Sequence, residues 1–559
     1  MSDETNYWKR RLRRRSLLRG SSLAAVGLGT AALVGCGDDD DDDDASGGSP
    51  TSAATVPGGA TPSTEKPKKG GTFRLHMGGS PRSLDPYFDT FPYNTAVTDL
   101  TNEALLKWSP DFSKIETELA DAMPEQPDPQ TFTFKLKKGV KFHDTEPANG
   151  REFTSADVKY SIERQSTDEA GKFQHAYYFK GKLDSIETPD DYTVTFKTKA
   201  PYAPFMSYIA SPWTLMIDRA TVEKYGDLTE HAIGTGPFLF KEWQKDVKID
   251  LVKNPNYRDP ELPYLDAISY LIAVDPDTAA TLYINKQVDA GVYGQSQLQR
   301  LKDARGADSE YRAVPSQFWK QMRMQPTTKE KPYKPPFDDI KVREAIVRAV
   351  DPQQVLDLVF SGDGVLAHGP ILPIYPLWAL KDEIAGFDLK KAKDLMSAAG
   401  NPKVEGPMIW ATGSPQSDQI AEVLKEQLSK IGVEISLQPM ELAAYYNQTY
   451  AYDYVFSHHT PLNNPDPDEN LSSYFGRNST YFKHYNEEIF DLVDKQAVEL
   501  DTPKRQAIVK DVQEKIVRDF PMKFMYTTNN HIFVDKKIKG WFYPTDLYDG
   551  RKATAWLDA

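Results

Sequence analysis

Cys36 is the only thiol in the chain. Its sulfur, as thiolate, is a nucleophile that takes an acyl-bearing alkyl group, another sulfur or a metal. It follows Leu33-Val34-Gly35 at the end of an apolar run, so a cut before it makes it the first residue of a processed chain. Lipid attachment is the chemistry that this position favours, and a lone cysteine excludes an intrachain disulfide. The adjacent imidazoles His458 and His459 are the next candidates. Neighbours on a strand point to opposite faces, so one ion does not readily take both, and no metal is expected. Asp466-Pro467-Asp468-Glu469-Asn470 superficially resembles a calcium loop, but Leu471 stands where a glycine is required and Arg477 where a glutamate is. The chain has no Gly-x-Ser-x-Gly, His-Glu-x-x-His or Walker pattern, and Gly234-x-Gly236 lacks the rest of a dinucleotide fingerprint. No catalytic residue, enzyme activity or cofactor is expected.

The elements around Cys36 are those of export. Lys9, Arg10, Arg11, Arg13, Arg14, Arg15 and Arg19 precede an apolar run from Leu23 to Val34. Basic region, apolar run and small-residue site together are signal-peptide anatomy over residues 1–35. The run is too short, and too rich in Gly and Ala, for a spanning helix of about 20 residues. Arg14-Arg15 before Leu17-Leu18 resembles a twin-arginine signal; an ordinary Sec signal is the other reading. Leu33-Val34-Gly35-Cys36 resembles a lipobox, which makes Cys36 the expected lipidation site. The acidic run Asp38–Asp44 and a Gly/Ser/Thr/Pro/Ala stretch follow, and residues 36–68 read as a disordered tether. About 30 such residues span a root-mean-square distance of roughly 30 Å.

Formal net charge is −14, and removing residues 1–35 takes away seven basic and two acidic residues, leaving −19. An acidic protein without a basic patch argues against nucleic acid as a partner. Hydrophobic content of 39% with 11% aromatic residues is ample for cores.

Thr72–Met77 alternates as a strand after Gly70-Gly71, and Asn94–Trp108 reads as one helix. Phe132–Leu136 and Val140–Phe142 read as strands around the Lys138-Gly139 turn. Thr154 with Asp157 forms a variant capping box. Beyond about residue 318, strands alternate with longer amphipathic helices: 338–350, 389–399, 417–431, 486–498 and 503–519 are helical, with strands at 408–411, 433–438 and 452–457. That order implies an α/β layer with a mostly parallel sheet; the first half reads as α+β.

Several stretches together resemble the extracytoplasmic solute-binding proteins of family 5, the peptide/nickel type that feeds ABC importers. They are Lys69-Gly70-Gly71-Thr72, Ser83-Leu84-Asp85-Pro86, Glu103-Ala104-Leu105-Leu106, Leu136 through His143, and Phe153 through Val158. They continue with Gly234 through Phe238, Asn254-Pro255-Asn256-Tyr257, Phe337 through Ile346 and Pro465 through Asp468. The resemblance implies a two-lobed α/β periplasmic-binding-protein-like fold of cluster C type, with an extra domain inserted in the first lobe. Lobe I takes 69–108, 231–318 and 527–559, the inserted domain 109–230, and lobe II 319–526. The chain crosses between lobes near Phe318–Lys320 and Tyr526–Asn530. It also implies a monomeric receptor, lipid-anchored on the outer or periplasmic face of the cell membrane. Such a receptor captures a small-molecule or peptide ligand and passes it to ABC permease and ATPase subunits.

In peptide-binding relatives an aspartate just before the Asp-Pro motif pairs with the ligand's free amino group. The matching residue here is Asn463, followed by Asn464. An amide is a poor partner for a buried ammonium, which opens a second reading, a glycan or other neutral solute; a ligand sensor without a permease is a third. Asp85, Phe91, Asn94, Trp319, Gln321, Trp378, Trp410, Thr412, His458 and Tyr526 complete the expected cleft residues from family geometry. Their aromatic members stack on a ligand face or sit in the core.

Overall fold

The computed structural model describes residues 65–88, 92–110, 112–167, 173–479, 481–541 and 550–558. Residues 1–64 lie outside them. Arg14, Arg15, Cys36 and Phe91 therefore fall outside the described residues.

One mixed sheet runs through the larger unit. Its strands lie in the order Val433–Met440, Val404–Ala411, Phe456–His459, Ser309–Met324, Met522–Asp535, Ala290–Tyr293, Thr72–Met77, Ala267–Ile272, Lys248–Lys253 and Phe238–Gln244, with Gly364–Leu366 added on Met522–Asp535. Val404–Ala411 is parallel to both of its neighbours, as the strand–helix alternation of this half predicts. Ser309–Met324 and Met522–Asp535 are antiparallel to each other over most of their length. Their pairing breaks between Pro315 and Trp319, where Thr527 Oγ1 donates to the carbonyls of Ser316 at 2.7 Å or Phe318 at 2.8 Å.

Three large apolar cores flank these strands. Phe73, Leu75, Val97, Leu100, Phe238, Ile268, Val314 and Ile532 share one. Phe132, Phe134, Phe153, Phe196, Phe205 and Trp213 fill another, beside a four-stranded antiparallel sheet within residues 125–198. The third spans Trp319 to Tyr526. Val314 and Trp319, five residues apart on one strand, thus serve different cores.

Side-chain caps set the helices. Asp388, Asn486 and Asp501 accept backbone N–H groups at the starts of Leu389–Ala398, Glu487–Val498 and Thr502–Asp519, satisfying donors that have no partner within the helix. Thr154 N–H donates to the Asp157 carboxylate at 2.9 Å, the capping box read from sequence.

Three expected elements differ, the strand read at 452–457 lying instead at Phe456–His459. The helix at Pro92–Thr101 stops seven residues before Trp108: Asn102 N–H makes the last helical bond, to the Thr98 carbonyl at 2.8 Å, and its Nδ2 donates to the Met216 carbonyl at 3.0 Å. Leu106–Trp108 instead pairs with Ile115–Thr117, and Leu105 joins the Phe132 core. Val140–Phe142 forms no full strand; it folds back on Arg151–Phe153 through one bridge, Lys141 to Glu152.

The Gly234-Thr235-Gly236 turn lies against the end of Pro92–Thr101. A β-carbon on Gly236 would stand 2.4 Å from the Leu100 carbonyl oxygen and one on Gly234 2.3 Å from that of Thr101, so only glycine fits. His143 bridges this turn: Nε2–H donates to the Gly236 carbonyl at 3.1 Å, and Nδ1 accepts from Gly234 N–H at 3.4 Å. Burial pushes the imidazole down to about 4. In the unfolded chain it takes a proton near pH 6.5, so between these values the unfolded state binds more protons, and stability falls as pH falls. The full shift corresponds to a loss on the order of 3 kcal/mol by pH 4. The thermal midpoint should decline from pH 7 to pH 4, and His143→Asn should flatten that decline. An unchanged slope in the variant would remove His143 as a cause.

Candidate functional site

A cavity of about 400 Å³ opens where the Phe132 core meets the third core. Two helices supply most of its wall. Leu442–Tyr450 begins at Glu441, whose carboxylate accepts from Ala443 N–H at 2.9 Å. Ala443, Tyr446, Asn447 and Tyr450 then fall on one stripe with helical spacing, facing the cavity. Pro467–Phe475 begins at Asp466 and presents Glu469, Asn470, Ser473 and Tyr474 in the same way. Phe318, His459, Asn464 and Tyr481 add to the wall, His175 and Tyr177 come from the other core's segment, and Arg82 stands exposed at the rim.

The walls are rich in phenol rings. Tyr446 stacks on Tyr450 at 5.6 Å, and Tyr474 lies 5.4 Å from Tyr481. Burial, then the charge of Glu469, pushes the Tyr177 hydroxyl well above its ordinary value, and burial does the same for Tyr481. These tyrosines are neutral donors at any physiological pH.

Cations lie close by. Arg323 is fully buried beneath the tyrosines, with its guanidinium 5.7 Å from the Tyr474 ring centre and Nη1 donating to the Tyr481 carbonyl at 3.1 Å. With its amide oxygen turned toward Arg323, Gln321 accepts from Nε and Nη2 at 2.7 Å. Lys320 Nζ donates to Thr460 Oγ1 at 2.7 Å, and burial pushes the ammonium down to about 8.

Of the residues expected at the cleft, Asn464 lines this cavity, and its Oδ1 has no hydrogen-bond partner. Asn463 is turned away from it. Its Oδ1 accepts from Leu372 N–H at 3.1 Å and its Nδ2 donates to the Pro370 carbonyl at 2.8 Å, so the amide fastens the 370–372 loop. Trp378 lines a second, larger cavity of about 820 Å³, where Arg505 lies 5.3 Å from its ring centre.

The others are held in the scaffold. Asp85 pairs with Arg164 at 2.5 Å, and Asn94 Nδ2 donates to the Ser83 carbonyl at 2.5 Å. Trp319 stacks on Phe524 and Trp410 on His458, while Trp410 Nε1 donates to Asp418. Tyr526 is buried against Phe360. Thr412 is exposed beyond its strand, its N–H donating to the Met440 carbonyl at 2.7 Å. His458 and His459 part as strand neighbours do: His458 Nε2–H donates to the Ser417 carbonyl at 3.0 Å, whereas His459 Nδ1 bonds the Tyr445 hydroxyl at 2.7 Å. Burial pushes His458 down to about 3.

The cavity residues that family geometry did not point to are Tyr177, Tyr446, Tyr450, Glu469, Tyr474 and Tyr481. The i, i+4 spacing of Tyr446 and Tyr450 was a visible signal. Glu469 carried none, since its neighbours Tyr177 and His175 lie almost 300 residues earlier.

The model for bacterial extracellular solute-binding proteins, family 5, matches residues 114–482. With more than half of its length matched, the chain belongs to that family. It is 27% identical to the glutathione-binding protein GsiB of Pectobacterium atrosepticum, over 84% of this chain and 91% of that one. It is 26% identical to the oligopeptide-binding protein AppA of Bacillus subtilis, over 88% and 93%. Among solved structures, the periplasmic binding protein DppA of Helicobacter pylori in complex with the peptide STSA matches with a TM-score of 0.75 and 25% identity, covering 88% of this chain and 99% of that one. The fold is therefore the two-lobed α/β fold of periplasmic binding proteins, and the family consists of extracytoplasmic solute-binding proteins rather than enzymes. Among the described residues no helix is long and apolar enough to cross a membrane.

Proposed function

We propose that the chain is a lipid-anchored receptor that captures a small solute, of oligopeptide class, and delivers it to an ABC importer without catalysing any reaction. The lobes follow the boundaries given above, with the chain acting as a monomer tethered through Cys36 after export. The observation that carries the reading is the 400 Å³ cavity, which gathers side chains from two separate cores around unpartnered polar atoms. Its size suits a small organic ligand, and closure of two bodies around a ligand is a known motion of such proteins. The peptide class draws support from relatives named for oligopeptide and glutathione binding.

Thermal-shift measurements against tripeptides, oligosaccharides and metal chelates test it. At a hundredfold excess over Kd a true ligand stabilises the protein by about 2.7 kcal/mol, so tripeptides should raise the midpoint by several degrees. A rise with sugars and none with tripeptides rejects the peptide class. Product formed from a stabilising ligand rejects the receptor in favour of a hydrolase.

A further inference from the structure

The larger cavity offers little to a new ligand, because its charged groups already pair: Arg505 Nη2 meets Asp466 Oδ1 at 2.6 Å. The tyrosine-walled cavity differs. Glu469 is 6% exposed, and its contacts are long. Tyr177 OH and His175 Nε2 each stand 3.4 Å from the same oxygen, Oε1, and nothing among the described residues donates to Oε2. Asn464, 4% exposed on the same wall, leaves its Oδ1 without any donor. Asn470 clamps it there, accepting from the Asn464 N–H at 3.0 Å and donating to its carbonyl at 2.9 Å. The Asn464 oxygen is buried without a donor, which is costly unless something supplies one, and the Glu469 carboxylate beside it has one long hydrogen bond and an oxygen open to a further donor.

The surroundings suit a cation. Tyr177, Tyr446, Tyr450, Tyr474 and Tyr481 line the space, and phenol faces attract ammonium groups. Arg82 at the rim and Lys320 behind Thr460 suit an acidic end of the same molecule.

We propose that Glu469, with the Asn464 side-chain oxygen, receives a protonated amine of the ligand inside the tyrosine box, in place of the aspartate position that Asn463 occupies. The inference rests on the receptor reading and narrows it to solutes that carry an ammonium group, which excludes neutral glycans. Asn463 is already engaged with Pro370 and Leu372, so the amine is received six residues further on, at the start of the Pro467–Phe475 helix.

The test uses the full chain in detergent with Ala-Xaa-Ala tripeptides, the same peptides N-acetylated, and maltotriose, read by calorimetry. Free-amine peptides should bind, acetylation should weaken wild-type binding by about 50-fold, and Glu469→Gln should weaken free-amine binding by a similar factor, as expected when a buried charge loses its partner. Glu469→Gln should weaken the acetylated peptides far less than the free-amine peptides. Acetylated peptides bound within about threefold of the free ones overturn the proposal on wild-type protein alone, whatever the stability of the variant. So does free-amine binding that survives Glu469→Gln, which leaves the oligopeptide-receptor reading standing, or maltotriose binding without peptide binding, which removes the peptide class as well and leaves a receptor for a neutral solute. If none of the probes binds wild type, the peptide-receptor reading falls and the amine site with it.

Discussion

Replacing Arg505 with methionine is expected to cost about 3–5 kcal/mol of folding stability. Arg505 and Asp466 form a two-pronged pair, Nη2 to Oδ1 at 2.6 Å and Nη1 to Oδ2 at 3.2 Å, with both side chains under a tenth exposed. Nε and Nη2 also donate to Gln496, through its side-chain and main-chain oxygens. Methionine fills much of the volume but leaves the Asp466 charge with only the Ser207 hydroxyl, at 2.8 Å, and the Asp468 N–H. The penalty is that of the stranded carboxylate rather than of a lost attraction, so Asp466→Asn placed on top of Arg505→Met should recover a good part of it. Urea unfolding with unchanged slope measures both. A loss below about 1 kcal/mol in the single variant would mean that water reaches the pair in solution.

Trp213→Ala is expected to cost a comparable amount, about 3–5 kcal/mol, and to weaken ligand binding as well. The indole is fully buried in the Phe132 core and lies flat on His175, with ring centres 4.0 Å apart and planes within 7°. Its carbonyl accepts from Gln165 Nε2 at 3.0 Å. Alanine leaves a void beneath the imidazole that faces Glu469, so one change should lower both the unfolding free energy and the affinity for any cavity ligand. A stability loss with affinity intact, measured well below the unfolding transition, would uncouple the ring from the cavity.

Local rules in the sequence reach far into this fold. Asp388, Asn486 and Asp501 each stand one residue before a helix and cap it, and Gly234 and Gly236 mark a contact too tight for a side chain. The same rules fail where a distant segment intervenes. Asn94–Trp108 has continuous helical periodicity, yet the helix ends at Thr101, and the side chain of the next residue, Asn102, is tied to Met216, more than a hundred residues away. The cavity lies at that limit. Trp319, Trp410 and Tyr526 are the aromatic types expected in a cleft, but each packs inside one core. Asn464 was legible because it neighbours a motif, whereas Tyr177 and Glu469, almost 300 residues apart, meet only where two distinct cores come together.

The break in pairing between Pro315 and Trp319 has a mechanical consequence. A β-ladder resists folding along a line because each rung must rupture, but here Thr527 supplies the rungs with a rotatable hydroxyl that reaches either of two carbonyls. One hydroxyl proton there serves either of two carbonyls, so bending along that line breaks fewer main-chain hydrogen bonds than bending along the regularly paired stretches on either side.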